Sequence, residues 1–178
     1  MRTALALIAV LALAGPALAD AKGPRLKVAK LDQLPTPLPM PYDEKLTPRQ
    51  VNGAVDAAFA RARKAHKNVI VDLGGNWCSW CRQLAATMDL PEAKPFIRAN
   101  FEVVSVNTAS AKGKLDDRNL AILKRFGIKK IDGVPWLVVA TSGGRILASS
   151  SEVTDEKHET PQAMIDWIAA YAPKRAKS

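Results

Sequence analysis

The sequence predicts an α/β protein whose central mixed β-sheet is flanked by helices on both faces. Three observations lead there. Residues 68–73, NVIVDL, form a continuous apolar run of the kind a buried central strand requires. Helical and strand-like segments alternate in the order α-β-α-α-β-α-β-β-α, a pattern that packs helices against a sheet. The last two strand-like runs, 136–140 and 145–149, are joined by TSGG, a hairpin signal that makes part of the sheet antiparallel.

The chain opens on MRTALALIAVLALAGPALA. Arg2 supplies a positive start, Leu5 to Ala14 are apolar, Gly15-Pro16 break the run, and Ala17-Leu18-Ala19 forms a small-x-small site. A membrane span needs about 20 apolar residues, so residues 1–19 are expected to be a signal peptide cleaved after Ala19. The protein is then periplasmic or otherwise exported, into a compartment where disulfides persist. Residues 20–46 follow as a Pro-rich arm, with Pro35, Pro37, Pro39 and Pro41 fixing φ and removing donors. A plain linker, a packed lead-in and a partner ligand all fit that composition.

The domain proper is expected over residues 47–172. Thr47-Pro48-Arg49-Gln50 forms a capping box with proline at the first helical position. Val51, Val55, Ala58 and Ala62 then mark one face of a helix to about His66. Gly74-Gly75-Asn76 breaks the first strand, and a helix is expected from the cysteines to Met88. Pro91 is expected to open a short helix to about Ala99, before the strand at 101–107. Asp116 and Asp117 are candidate caps for LAILKRF, which Gly127 should terminate. Thr160-Pro161 should start a last helix through Tyr171, leaving a basic tail at 173–178.

The formal charge is +9, or +8 once Arg2 leaves with the signal. The basic residues are spread along the chain without interleaved aromatics, so nucleic acid is not an expected partner. A solvated surface that tolerates acidic partners fits better.

Chemistry concentrates at WCSWCR. Cys78 and Cys81 are the only cysteines. A zinc site needs four ligands as a rule, and only His66 and His158 could join them, so no metal is expected. Covalent haem needs histidine after the second cysteine, where Arg82 stands. A structural staple across so short a loop removes little entropy from the unfolded chain. A redox pair fits best. A cysteine at a helix N-terminus faces unsatisfied N–H groups and the positive end of the dipole, so its thiolate is favoured. The thiolate is the attacking species in disulfide exchange, and the second cysteine lies one turn on. Two vicinal thiols pass two electrons without a cofactor.

Together these residues resemble the thioredoxin family over about residues 47–172. Trp77-Cys78-Ser79-Trp80-Cys81-Arg82 is similar to its W-C-x-x-C-[K/R] motif after a strand. Asp72 stands at the offset of its buried acid, six residues before Cys78. Gly133-Val134-Pro135 is similar to its cis-proline loop. The stretch TMDLPEAKPFIRANFEVVSVN looks like an exported branch that includes the C-terminal domain of the electron carrier DsbD. The resemblance implies a thioredoxin-like fold and a thiol–disulfide oxidoreductase. In it Cys78 attacks, Cys81 resolves, and Asp72 takes the proton from Cys81. Trp77, Trp80, Val134 and Pro135 would contact substrate, a protein dithiol or disulfide. Cys78 is expected to be open to solvent.

Ser79-Trp80 replaces the dipeptides usual between such cysteines and holds no cation to stabilise a reduced thiolate. Reduction is therefore the expected direction, with a membrane electron donor as a second partner and a soluble monomer as the working form. The competing expectation is a non-catalytic thioredoxin-fold module that holds a partner protein.

Overall fold

Thr47 begins the first helix as its capping box requires. Its hydroxyl accepts from the Gln50 N–H at 3.4 Å, and Gln50 Oε1 accepts from the Thr47 N–H at 2.9 Å. Helix α1, Pro48–Ala65, buries Val51, Val55, Ala58, Phe59 and Ala62, and His66 ends it in the left-handed region at φ 53°. These features belong to a computed structural model that describes residues 22–108 and 120–174. The expected signal peptide, the Asp116 and Asp117 caps, most of the loop before α4 and the end of the basic tail lie outside the described residues.

Strand β1, Asn68–Gly74, is buried at all seven positions. It runs parallel to β2, Phe101–Asn107, and antiparallel to β3, Trp136–Thr141, which pairs antiparallel with β4, Ile146–Ser150. The sheet order is β2-β1-β3-β4, the mixed sheet that the hairpin signal demands. A turn closed by the Gly144 N–H to the Thr141 carbonyl at 2.8 Å joins β3 to β4, with Gly144 at φ 91°.

Alternation along β1 divides the core into two layers. Val69, Val71 and Leu73 pack with α1 and with Ile122 and Leu123 of α4, Leu120–Arg125. Ile70 faces the other side, where it meets three more helices: α2, Ser79–Asp89; α3, Ala93–Asn100; and α5, Pro161–Ala169. Helices therefore cover both faces of the sheet. Gly127, at φ 67°, ends α4 as expected, with the Ile128 N–H reaching back to the Leu123 carbonyl at 2.9 Å.

Two boundaries differ from expectation. Helix α3 runs from Ala93, and Pro91 opens the turn that leads into it: the Leu90 carbonyl accepts from both Ala93 and Lys94, at 3.0 and 2.8 Å. Helix α5 ends at Ala169 rather than Tyr171. The N–H groups just beyond it, on Tyr171 and Ala172, bond three residues back to Ile168 and Ala169, the tighter pattern common at helix ends.

The Pro-rich arm is a packed lead-in. A 3₁₀ turn at Leu31–Gln33 interrupts its extended course, and Leu26 and Leu34 are buried in the layer that holds α2 and α5. The Gly23 N–H donates to Asp166 at 2.7 Å and the Leu26 N–H to Gln162 at 2.9 Å, tying the start of the arm to α5. Leu34→Ala should lower unfolding free energy by about 2–4 kcal/mol, the usual cost of emptying a buried leucine site. Urea denaturation measures this, and an unchanged midpoint would mean that the arm contributes nothing to the core.

Candidate active site

The site forms where β1 hands over to α2. Gly75 to Trp77 make the turn, and the Cys78 N–H donates to the Gly75 carbonyl at 3.0 Å. Cys78 is the N-cap of α2, with extended backbone at φ −83° and ψ 112°. Its sulfur accepts from the Cys81 N–H at 3.1 Å, taking the place of the oxygen that usually caps a helix. Cys78 and Cys81 form a disulfide with Cα atoms 5.3 Å apart.

The two cysteines differ in cover. Cys81 is fully buried, whereas Cys78 keeps 6% exposure. The expectation that Cys78 is open to solvent is therefore corrected. Tyr42 and Val134 pack against the pair, and the Val134 carbonyl oxygen lies 3.5 Å from the Cys78 sulfur. The Val134–Pro135 bond is cis, and Pro135 is buried. The two tryptophans stand outside this cluster. Trp77 is 42% exposed and Trp80 36%, so neither is core.

Asp72 lies at the centre of the sheet, between Ser105 of β2 and Leu137 of β3, with no exposure to solvent. Burial raises its pKa from 3.8 to about 7, while hydrogen bonds from Tyr42 and Ser105 act in the opposite sense. Tyr42 comes from the arm. Its hydroxyl stands 2.9 Å from each oxygen of the Asp72 carboxylate. Burial, and then the neighbouring carboxylate charge, raise the pKa of Tyr42, so it stays a protonated donor.

Gly74 is required by close approach. A Cβ there would come within 2.6 Å of the Tyr42 hydroxyl and 2.8 Å of the Cys81 sulfur. The hydroxyl, the Cys81 sulfur and the strand end thus share one small space. Two further residues of the active-site loop hold the arm beside it. Asn76 accepts from the Tyr42 N–H at 3.1 Å and donates to the Tyr42 carbonyl at 2.7 Å. Arg82 donates to the carbonyls of Leu38 and Pro39, at 2.7 and 3.1 Å.

The sequence singles out Asp72, Trp77, Cys78, Trp80, Cys81, Val134 and Pro135; in the structure Cys78, Cys81 and Val134 share one cluster, and Asp72 reaches it through Tyr42. Sequence reasoning missed Tyr42 and Asn76, and saw Arg82 only as a motif position. The available signal was an aromatic residue closing the proline run, in PTPLPMPY.

A thioredoxin-like domain profile matches residues 55–157. The chain belongs to the thioredoxin-like family. Among solved structures it is similar to a disulphide isomerase from Xylella fastidiosa Temecula1, at 28% identity and TM-score 0.62 over 74% of this chain and 96% of that one. It is also similar to the DsbD C-terminal domain of Neisseria meningitidis in the oxidised form, at 24% identity and TM-score 0.38 over 56% of this chain and 84% of that one. No curated protein sequence matches the chain. A thioredoxin-like fold with a Cys-x-x-Cys pair at disulfide distance supports a thiol–disulfide oxidoreductase. Among the described residues, no helix is long and apolar enough to cross a membrane.

The raised pKa of Asp72 has a consequence for stability. A carboxyl whose folded pKa exceeds its unfolded value binds its proton more tightly in the folded state. Its contribution is full below about pH 4 and is lost as pH rises to about 7, at about 1.4 kcal/mol for each pKa unit of displacement. Asp72→Asn should remove that loss, so the variant should gain stability over the parent between pH 5 and pH 8. Urea midpoints of the two proteins at both pH values check this; a constant difference would mean that Asp72 titrates normally.

Proposed function

We propose that the protein is an exported thiol–disulfide oxidoreductase that reduces or rearranges disulfides in other proteins. The asymmetry of the cysteine pair carries this reading: Cys78 caps a helix N-terminus and keeps a little exposure, and Cys81 lies inside the helix with none. In the reduced protein the Cys81 N–H and the helix dipole favour the Cys78 thiolate. That thiolate attacks one sulfur of a substrate disulfide. A Cys78–substrate disulfide forms, and the other substrate sulfur leaves as a thiolate.

Cys81 then gives its proton to Asp72 and attacks Cys78. The Cys78–Cys81 bond forms and the second substrate thiolate leaves, so the substrate gains the two electrons the dithiol loses. Asp72 suits the acceptor role because its pKa, about 7, lies near the working pH. The Val134 carbonyl, 3.5 Å from the Cys78 sulfur, supports a pairing of this backbone with an extended substrate chain. Trp77 and Trp80 offer it an apolar rim. No cofactor enters these steps.

The isomerase likeness and the cation-free Ser79-Trp80 dipeptide both favour a reduced working form. A membrane electron donor would return the pair to that form. The expected signal peptide supports export.

Cys81→Ser should accumulate covalent complexes with substrate proteins on non-reducing gels, lost on adding reductant, and Cys78→Ser should form far fewer. Equal trapping by the two variants would reverse or abolish the assigned roles. Alkylation of the native protein in its own compartment should find the pair mainly reduced; a mainly oxidised pair would mean an oxidase or an idle disulfide and would overturn the reductase reading.

A further inference from the structure

The matched thioredoxin-like span begins at residue 55, yet the partner of its buried acid comes from outside that span. Tyr42 is 2% exposed, and its hydroxyl meets both carboxylate oxygens of Asp72. Its backbone is gripped on both sides by Asn76, and the preceding chain is gripped by Arg82. Both of those residues flank the cysteines. The loop that carries the redox pair therefore also holds the arm, and the arm returns a hydroxyl to the space shared with Cys81.

We infer that Tyr42 is a positioning residue of this active site: its hydroxyl holds the Asp72 carboxylate as proton acceptor for Cys81, which makes the N-terminal arm part of the catalytic apparatus. The inference rests on the proton-acceptor role proposed for Asp72. The surroundings of the carboxylate leave Tyr42 a large share of the work. From β2 it meets Ser105, its register partner on β3 is the apolar Leu137, and the cysteine pair packs against Tyr42 itself. Among the described residues, no lysine, arginine or histidine acts on its charge. The nearby ions, Glu44 and Arg82, bond to Asn76 and to arm carbonyls instead. A buried carboxylate without cations depends on hydrogen-bond donors to exist as an anion.

The proton moves from the Cys81 thiol to the carboxylate. Tyr42 keeps its own proton throughout and donates the hydrogen bond that favours the anion before transfer. Removing that bond favours protonated Asp72, so a higher pH is needed before the carboxylate can accept.

Tyr42→Phe retains the ring and deletes only the hydroxyl. Two readouts apply. The first is the carboxyl ¹³C shift of Asp72 in the oxidised full-length protein, followed from pH 5 to pH 10. The second is the pH dependence of glutathione release from a preformed Cys78–glutathione disulfide, which isolates the attack by Cys81. The variant should titrate Asp72 at higher pH than the parent. It should also release glutathione about ten- to hundredfold more slowly near pH 6, the scale of one hydrogen bond to a buried charge, with recovery above pH 9. A tyrosine that only filled space would leave both curves where they are, and either curve unmoved overturns the inference. Asp72→Asn separates the two claims. If it removes the acid limb while Tyr42→Phe does not shift it, Tyr42 has no positioning role and the Asp72 relay stands. If Asp72→Asn itself keeps the parent profile, the relay falls and the inference falls with it.

Discussion

A carboxylate with no contact to water stands in the middle of the central strand, and much of the molecule is arranged around that burden. Asp72 occupies the one β1 position between Ile70 and Gly74 on the α2 side of the sheet, where every neighbouring strand position is filled. Transfer of a charge into such a place is costly unless donors meet it. The sheet supplies one, Ser105, and a segment some thirty residues earlier supplies the other, Tyr42. The acid therefore links the core of the domain to the arm that precedes it.

The second constraint is the helix terminus at Cys78. The first N–H groups of α2 need acceptors, and a sulfur takes the role of a capping oxygen for one of them. The Cys81 N–H that satisfies this need is the same group that favours the thiolate after reduction. Capping and reactivity thus have one cause. The disulfide spans three positions inside a single turn, so it ties no distant parts of the fold together. The core layers on the two faces of the sheet and the buried leucines of the arm do that work, and the pair can open and close without the fold depending on it.

Charge elsewhere serves structure rather than chemistry. Glu102 on β2 meets Arg61 of α1 and Lys67, each at 2.8 Å, and Arg125 of α4 meets Asp56 of α1 at 2.7 Å. These pairs stitch α1 to the sheet edge and to α4, on the side of the sheet away from α2. The cysteine region carries exposed apolar surface instead, with Met40 of the arm exposed along with Trp77 and Trp80. An apolar surface around a reactive sulfur suits a polypeptide substrate better than a small charged one.

Local chemistry was legible in the sequence wherever one residue or a short spacing decides the outcome. The Thr47 box, the unbroken NVIVDL run, the TSGG turn and Gly127 each specify a backbone conformation by themselves, and each element formed where they placed it. The six-residue offset of Asp72, the Cys-x-x-Cys spacing and Val134-Pro135 marked the site because strand and helix geometry carry those intervals directly into space. Cover and partnership could not be found this way. The burial of Cys78 depends on the Val134 carbonyl, brought across from the loop before β3 some fifty residues on. The pairing of Tyr42 with Asp72 depends on where a proline-rich segment comes to rest, and proline fixes only local φ. Only the packed chain decides which side chain meets a buried charge, because that choice is made by the total cost of desolvation and not by any neighbour in sequence.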